Sequence, residues 1–162
     1  MTSSLAMSLA QYTHLPSDRA TGELDPLNYQ PSGGVGTCHI TVDNTGLYVL
    51  VANYGSSSVA VLPIREDGSV GAAANVIRHK GSSIDPERQE GPHAHSITID
   101  KSNRYVFAAD LGLDKILVYE LDTDRGRLVP SENPSVTTAL GAGPRHFDFH
   151  PDGHHAYVIN EL

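Results

Sequence analysis

The chain has 162 residues, 39% of them hydrophobic and 19% charged, the balance of a globular chain and not of a disordered one. A net charge of −8, with nine histidines counted neutral, leaves no basic surplus to displace counterions and argues against nucleic acid or an anionic membrane as a partner. A single cysteine, Cys38, excludes an internal disulfide framework, and no apolar run approaches the roughly 18 residues of a membrane-spanning helix.

Residues 1–17 hold a short apolar patch with no basic stretch before it and no clear cleavage site. They read as an atypical N-terminal segment, not a signal peptide. Residues 18–35 follow as the remnant of a structural unit, marked by the turn Thr21-Gly22-Glu23-Leu24 leading toward a strand.

A repeat then takes over. Ile40-Thr41-Val42-Asp43, Asn44-Thr45-Gly46 and Tyr48-Val49-Leu50-Val51-Ala52-Asn53 recur as Ile97-Thr98-Ile99-Asp100, Lys101-Ser102-Asn103 and Tyr105-Val106-Phe107-Ala108-Ala109-Asp110. They recur again as Phe147-Asp148-Phe149-His150, Pro151-Asp152-Gly153 and His155-Ala156-Tyr157-Val158-Ile159-Asn160. A second series of turns, at Gly22, Gly68 and Gly126, shares the period of roughly 50 residues. The units run over about 36–85, 86–140 and 141–162.

Each full unit predicts four short strands. In the second they fall at about 96–100, 105–110, 115–121 and 128–138, rich in Val, Ile, Tyr and Thr and bounded by Gly, Asn, Asp and Ser. No window carries the apolar spacing of an amphipathic helix. The fold class is therefore all-β, a propeller of four-stranded antiparallel blades. Such rings close with ~4–8 blades. The chain holds about three blades' worth of one, and the expected open edges invite self-association.

Antiparallel pairing places the chemistry. Arg145 and Glu161 lie equally far from Gly153, at the open end of one hairpin. Counting from the neighbouring turns sets His95 level with Asp110 and Cys38 level with Asn53. In a propeller the first strand of each blade lines the central channel, so these positions converge on one channel mouth. The candidates there are His93, His95, Asp110, Arg145, His146, Asn160 and Glu161. His93 and His95 alternate on an extended chain and can face one side, but a lone HxH is a weak metal signal, and neither metal nor cofactor is expected. Cys38 reads as a small rim residue and not a nucleophile. His150, His154 and His155 fall near the opposite end of their hairpin and read as surface residues. Gly-rich phosphate loops, a GxSxG elbow, HExxH and CxxC pairs are absent from the sequence.

Three stretches, "CHITVDNTGLYVLVANYGSSSVAVLPI", "RQEGPHAHSITIDKSNRYVFAADLGLDKILVYELD" and "GAGPRHFDFHPDGHHAYVINEL", resemble the seven-bladed propeller lactonases. That family includes the propeller-type 6-phosphogluconolactonases and the carboxy-cis,cis-muconate cyclases. The resemblance covers about residues 18–162 and implies a chain roughly twice as long, with an opening blade and about three closing blades besides these. It implies catalytic roles for His95, Arg145 and Glu161, with His93 competing for the histidine role; the rim placement sets His93, Asp110, His146 and Asn160 near the substrate. It also implies a small anionic lactone as substrate and a cytoplasmic sugar-phosphate role, with export left open. Cycloisomerisation of a muconate-type diacid, a non-catalytic interaction propeller and an inactive fragment are the alternatives. An Arg beside Glu161 favours the charged carboxylate and weakens it as a base, which leaves His95 an equally good one.

Overall fold

The computed structural model describes residues 9–13, 21–23 and 26–162. The architecture is an all-β partial propeller, with one 3₁₀ turn among the described residues, at Leu111–Leu113. Strands β1 (Leu9–Thr13) and β2 (Tyr29–Val35) pair antiparallel. A four-stranded sheet follows from β3 (Thr37–Val42), β4 (Tyr48–Asn53), β5 (Ser58–Pro63) and β6 (Asn75–Arg78), in that spatial order. The next sheet has β7 (Ala94–Ile99), β8 (Tyr105–Asp110), β9 (Lys115–Asp122) and β10 (Arg127–Thr137), again neighbour to neighbour. A hairpin of β11 (Pro144–Phe149) and β12 (Ala156–Asn160) comes last.

One expectation changes at the start of the chain. Leu9–Thr13 falls inside the segment read as separate from the propeller, yet it forms the partner strand of β2. A five-residue strand carries too little alternation to be seen from sequence when its partner lies sixteen residues on. The rest of residues 1–17 lies outside the described residues.

The blades stack through apolar faces. Leu50, Ala52, Val59 and Val61 of the first four-stranded blade meet Ala94, Ile97, Val106, Ala108, Tyr119, Leu121 and Leu128 of the second in one core. Val49, Val51, Ala60, Leu62 and Val70 form a second core on the other face of the first blade. A strand covered on both faces has no solvent side to make polar, so β4 and β5 read as nearly unbroken apolar runs. Phe107 of β8 stacks on Phe147 of β11 at 5.2 Å, with Phe149 edge-on, and this aromatic group seats the last hairpin on the second blade.

The β3–β4, β7–β8 and β11–β12 turns are built alike. Asp43 Oδ1 accepts the backbone N–H groups of Leu47 and Tyr48 at 2.9 and 2.8 Å. Asp100 Oδ1 accepts those of Arg104 and Tyr105 at 3.0 and 2.8 Å. The left-handed position of each turn falls on Gly46, Asn103 and Gly153, residue types that tolerate a positive φ.

Candidate active site

At the opposite end of the three hairpins the ladder slips at the same place. In β3–β4, Thr37 pairs with Asn53 and His39 with Ala52, which leaves Cys38 as the extra residue. In β7–β8, Ala94 pairs with Asp110 and Ser96 with Ala109, which leaves His95. In β11–β12, Pro144 pairs with Asn160 and His146 with Ile159, which leaves Arg145. Each is a β-bulge, a device that re-aims one side chain at the edge of a sheet. Counting outward from the turns finds the right rim but sets His95 level with Asp110, Arg145 level with Glu161 and Cys38 level with Asn53. The bulge instead leaves each of the three unpaired, and Asn53, Asp110 and Asn160 pair with the preceding residues Thr37, Ala94 and Pro144.

The bulges bring His95 and Arg145 together from adjacent blades. Arg145 Nε donates to His95 Nε2 at 3.1 Å and forms an ion pair with Glu161 Oε2 at 2.9 Å. His95 Nε2 lies 3.6 Å from the same carboxylate oxygen. Glu161 is held in turn by its backbone N–H, which donates to the Gly143 carbonyl at 2.9 Å. Of the two histidines of the HxH pair, His95 is the one that reaches this group. His93 instead stacks on Tyr54 with ring centroids 4.5 Å apart and places Nε2 3.4 Å from Glu90. The Tyr54 ring also meets His95 edge-on at 5.5 Å. His146 packs beside His95 and His39, at 5.3 and 5.7 Å between centroids. Asn160 is exposed at the end of β12, with its Cα opposite Pro144.

Asp110 requires a correction. It was expected to face a substrate, but it is fully buried and both its oxygens are engaged. Oδ1 accepts the His93 backbone N–H at 2.7 Å and Oδ2 lies 2.5 Å from His79 Nδ1, while Tyr119 Oη sits 3.1 Å from His79 Nε2. Asp110 therefore fixes the strand that carries His93 and His95 from behind. The hairpin count could not show this, because a residue level with the rim can point into the blade.

Three further residues were not singled out from sequence. Arg88 ion-pairs with Glu161 from the loop before β7. Tyr54 supplies the aromatic surface under both histidines. Asp114, buried, binds together the two loops that feed the rim: Oδ2 accepts from Ser83 Oγ at 2.5 Å and Gly141 N at 2.7 Å, and Oδ1 from Gln89 Nε2 and Gly143 N, both at 2.8 Å. The one signal available for Asp114 is its place after Leu111-Gly112-Leu113, where it takes a left-handed conformation at φ 54°. Arg88 has no counterpart in the repeat and so no signal of that kind.

The electrostatics sort the possible roles. The Arg88 hydrogen bond, reinforced by Arg145, holds the Glu161 carboxyl below its ordinary pKa, so it is an anion at neutral pH. Burial pushes the His95 imidazole below its ordinary value, and the Arg145 charge pushes the same way. A neutral His95 that accepts the Arg145 N–H through Nε2 carries its proton on Nδ1, and that atom is buried without a partner. Cys38 donates to the His95 carbonyl at 3.2 Å, and desolvation raises its pKa, so it is a thiol and not a thiolate.

The sequence matches the family model described as "Lactonase, 7-bladed beta-propeller" over residues 8–162. The chain belongs to the seven-bladed β-propeller lactonase family. Among its curated relatives, the chain is 43% identical over 145 residues to a 6-phosphogluconolactonase of Bacillus subtilis (strain 168), covering 90% of this chain and 40% of the relative. It is 38% identical over 143 residues to a 6-phosphogluconolactonase of Erwinia tasmaniensis, covering 88% and 39%. Among solved structures it resembles the periplasmic gluconolactonase of Pseudomonas aeruginosa, with a TM-score of 0.81 and 35% identity over 87% of this chain and 40% of that one. The chain thus spans about two fifths of the length of the curated relatives it matches.

Proposed function

We propose that the His95–Arg145–Glu161 group, flanked by Arg88, is the catalytic rim of a hydrolase acting on a sugar-acid lactone, with 6-phosphogluconolactone the leading candidate. The observation that carries the reading is the neutral, desolvated imidazole of His95 held against a guanidinium whose other partner is a carboxylate. The relatives named above, two 6-phosphogluconolactonases and a gluconolactonase, support the substrate class.

In this reading His95 is the general base. As the forming oxyanion draws the Arg145 N–H away from it, His95 Nε2 takes a proton from water while the water oxygen attacks the lactone carbonyl carbon. Arg145 stabilises the oxyanion that forms, as a guanidinium fixed in advance by Glu161 does at little reorganisation cost. Collapse breaks the ring C–O bond, and the imidazolium returns its proton to the departing alkoxide, giving the open hydroxy acid. Arg88, charged and half-exposed beside Glu161, offers a fork for a substrate carboxylate or phosphate. Glu161 acts as the anion that spaces the two guanidiniums, because its depressed pKa makes it a poor base.

The test is hydrolysis of 6-phosphogluconolactone by the 162-residue chain, followed beside product binding read from the His95 ring signals by NMR. Arg145→Ala should lower turnover by ~100-fold or more, the usual loss when an oxyanion donor is removed. Unchanged kinetics in that variant, or product binding that leaves the His95 signals unmoved, would overturn the assignment.

A further inference from the structure

The turn between β11 and β12 shares its backbone with two other turns of the same chain but not their side-chain chemistry. Its closing hydrogen bond, His150 N to the His155 carbonyl at 2.9 Å, repeats Asp43 N to Tyr48 at 3.0 Å and Asp100 N to Tyr105 at 2.9 Å. At the first, third and sixth positions the other two turns read Asp43-Thr45-Tyr48 and Asp100-Ser102-Tyr105. Here they read His150-Asp152-His155. His150 Nδ1 accepts the Asp152 backbone N–H at 3.2 Å, where Asp43 and Asp100 accept from Thr45 and Ser102, whereas the His155 imidazole replaces a tyrosine and caps no backbone group.

The exchange relocates the capping carboxylate and gathers donors around it. Asp152 Oδ1 accepts the backbone N–H groups of His154 and His155 at 2.8 and 3.2 Å, which fixes the carboxylate on the turn. Its other oxygen, Oδ2, lies 2.9 Å from His150 Nδ1 and 2.8 Å from His155 Nδ1. The three ligand atoms all fall within 4.8 Å of one another, and no other group of three such donors does so among the described residues. All three side chains are exposed, so an ion can reach them. The Lys101 ammonium is engaged on the Pro151 carbonyl of the same turn.

We propose that His150, Asp152 and His155 form a binding site for a first-row divalent cation of the Zn²⁺ type. Two imidazole nitrogens and one carboxylate oxygen suit Zn²⁺, Ni²⁺ or Cu²⁺, whereas Ca²⁺ and Mg²⁺ take oxygen ligands. Zn–N bonds of roughly 2.0–2.1 Å in a tetrahedron put neighbouring ligand atoms about 3.3 Å apart. The two Asp152–histidine pairs therefore open by about half an ångström, within the freedom of exposed side chains. Water fills the fourth position. The site lies at the far end of the hairpin from Arg145 and Glu161, so it stands independently of the lactonase reading. The rim imidazoles of His39, His95 and His146 are the competing site, disfavoured by the Arg145 charge beside His95.

The decisive experiment is calorimetric titration of the 162-residue chain with ZnCl₂ at neutral pH in a non-chelating buffer. One equivalent should bind, and the melting temperature should rise with added zinc. His155→Ala should weaken binding by more than about tenfold, since loss of even an outer-sphere partner commonly costs that much. The combined change His150→Asp, Asp152→Thr and His155→Tyr restores the residues of the first turn; it should keep the zinc-free melting temperature and lose the binding event. His39→Ala should leave the event intact. Absence of binding, its survival in the combined variant, or its loss in His39→Ala would each overturn the site.

Discussion

Strands β8 and β12 occupy the same place in the repeat, yet they meet opposite surroundings. From Val106 to Asp110 β8 is buried except at Phe107, which packs against the aromatic group of β11. Every residue of β12 is exposed. The difference lies in the neighbours. β8 runs between β7 and β9, with the first blade against one face, while β12 pairs with β11 alone among the described residues. A repeat unit encodes strands and turns locally; the burial that stabilises a strand is supplied by the next strand and the next blade.

Asp114 is where this contrast is most easily broken. It sits in the second blade, yet two of its four donors, Gly141 and Gly143, lead into the last hairpin. Asp114→Ala leaves those N–H groups, Ser83 and Gln89 without their acceptor and should cost about 3–5 kcal/mol, read from the urea midpoint. Hydrogen exchange should show β11 and β12 opening before β7–β10 in that variant. Uniform loss of protection would show that Asp114 does not join the two parts.

A paired substitution measures the contrast directly. Ile97→Ala empties a fully buried position between blades and should destabilise by about 3 kcal/mol. Ile159→Ala removes a side chain that is 62% exposed and should change stability by no more than about 0.5 kcal/mol. Equal effects would mean that β12 is covered in solution by something not present in this structure.

The smallest effect is acid sensitivity at the join. His95 belongs to the second blade and its partners Arg145 and Glu161 to the last hairpin. Burial lowers its folded-state pKa, so the unfolded chain binds the proton more readily. This contribution is whole above the unfolded value of ~6.5 and is lost as pH falls from there through the folded value. His39, lowered by burial and by His146 and His95, adds in the same direction. The stability gap between the protein and His95→Gln should therefore shift with pH below neutrality, the wild type losing more. A gap that is flat with pH would remove His95 from the join.

The sequence by itself determined the strands, the turns and the period, because Asp–Asn/Thr/Ser–Gly turns and Val/Ile-rich runs act over a few residues. It also placed His95, Arg145 and Glu161 on one rim, since antiparallel pairing carries a count from turn to open end. The tertiary structure alone decided which way those residues point. The bulges at Cys38, His95 and Arg145 shift the pairing by a residue, and a count assumes none. It turned Asp110 inward to hold His93, brought Arg88 to Glu161 across seventy-three residues, and closed Asp114 around two loops. Those contacts join residues far apart in the chain, and their side chains carry no local pattern, so only packing of blade on blade reveals them.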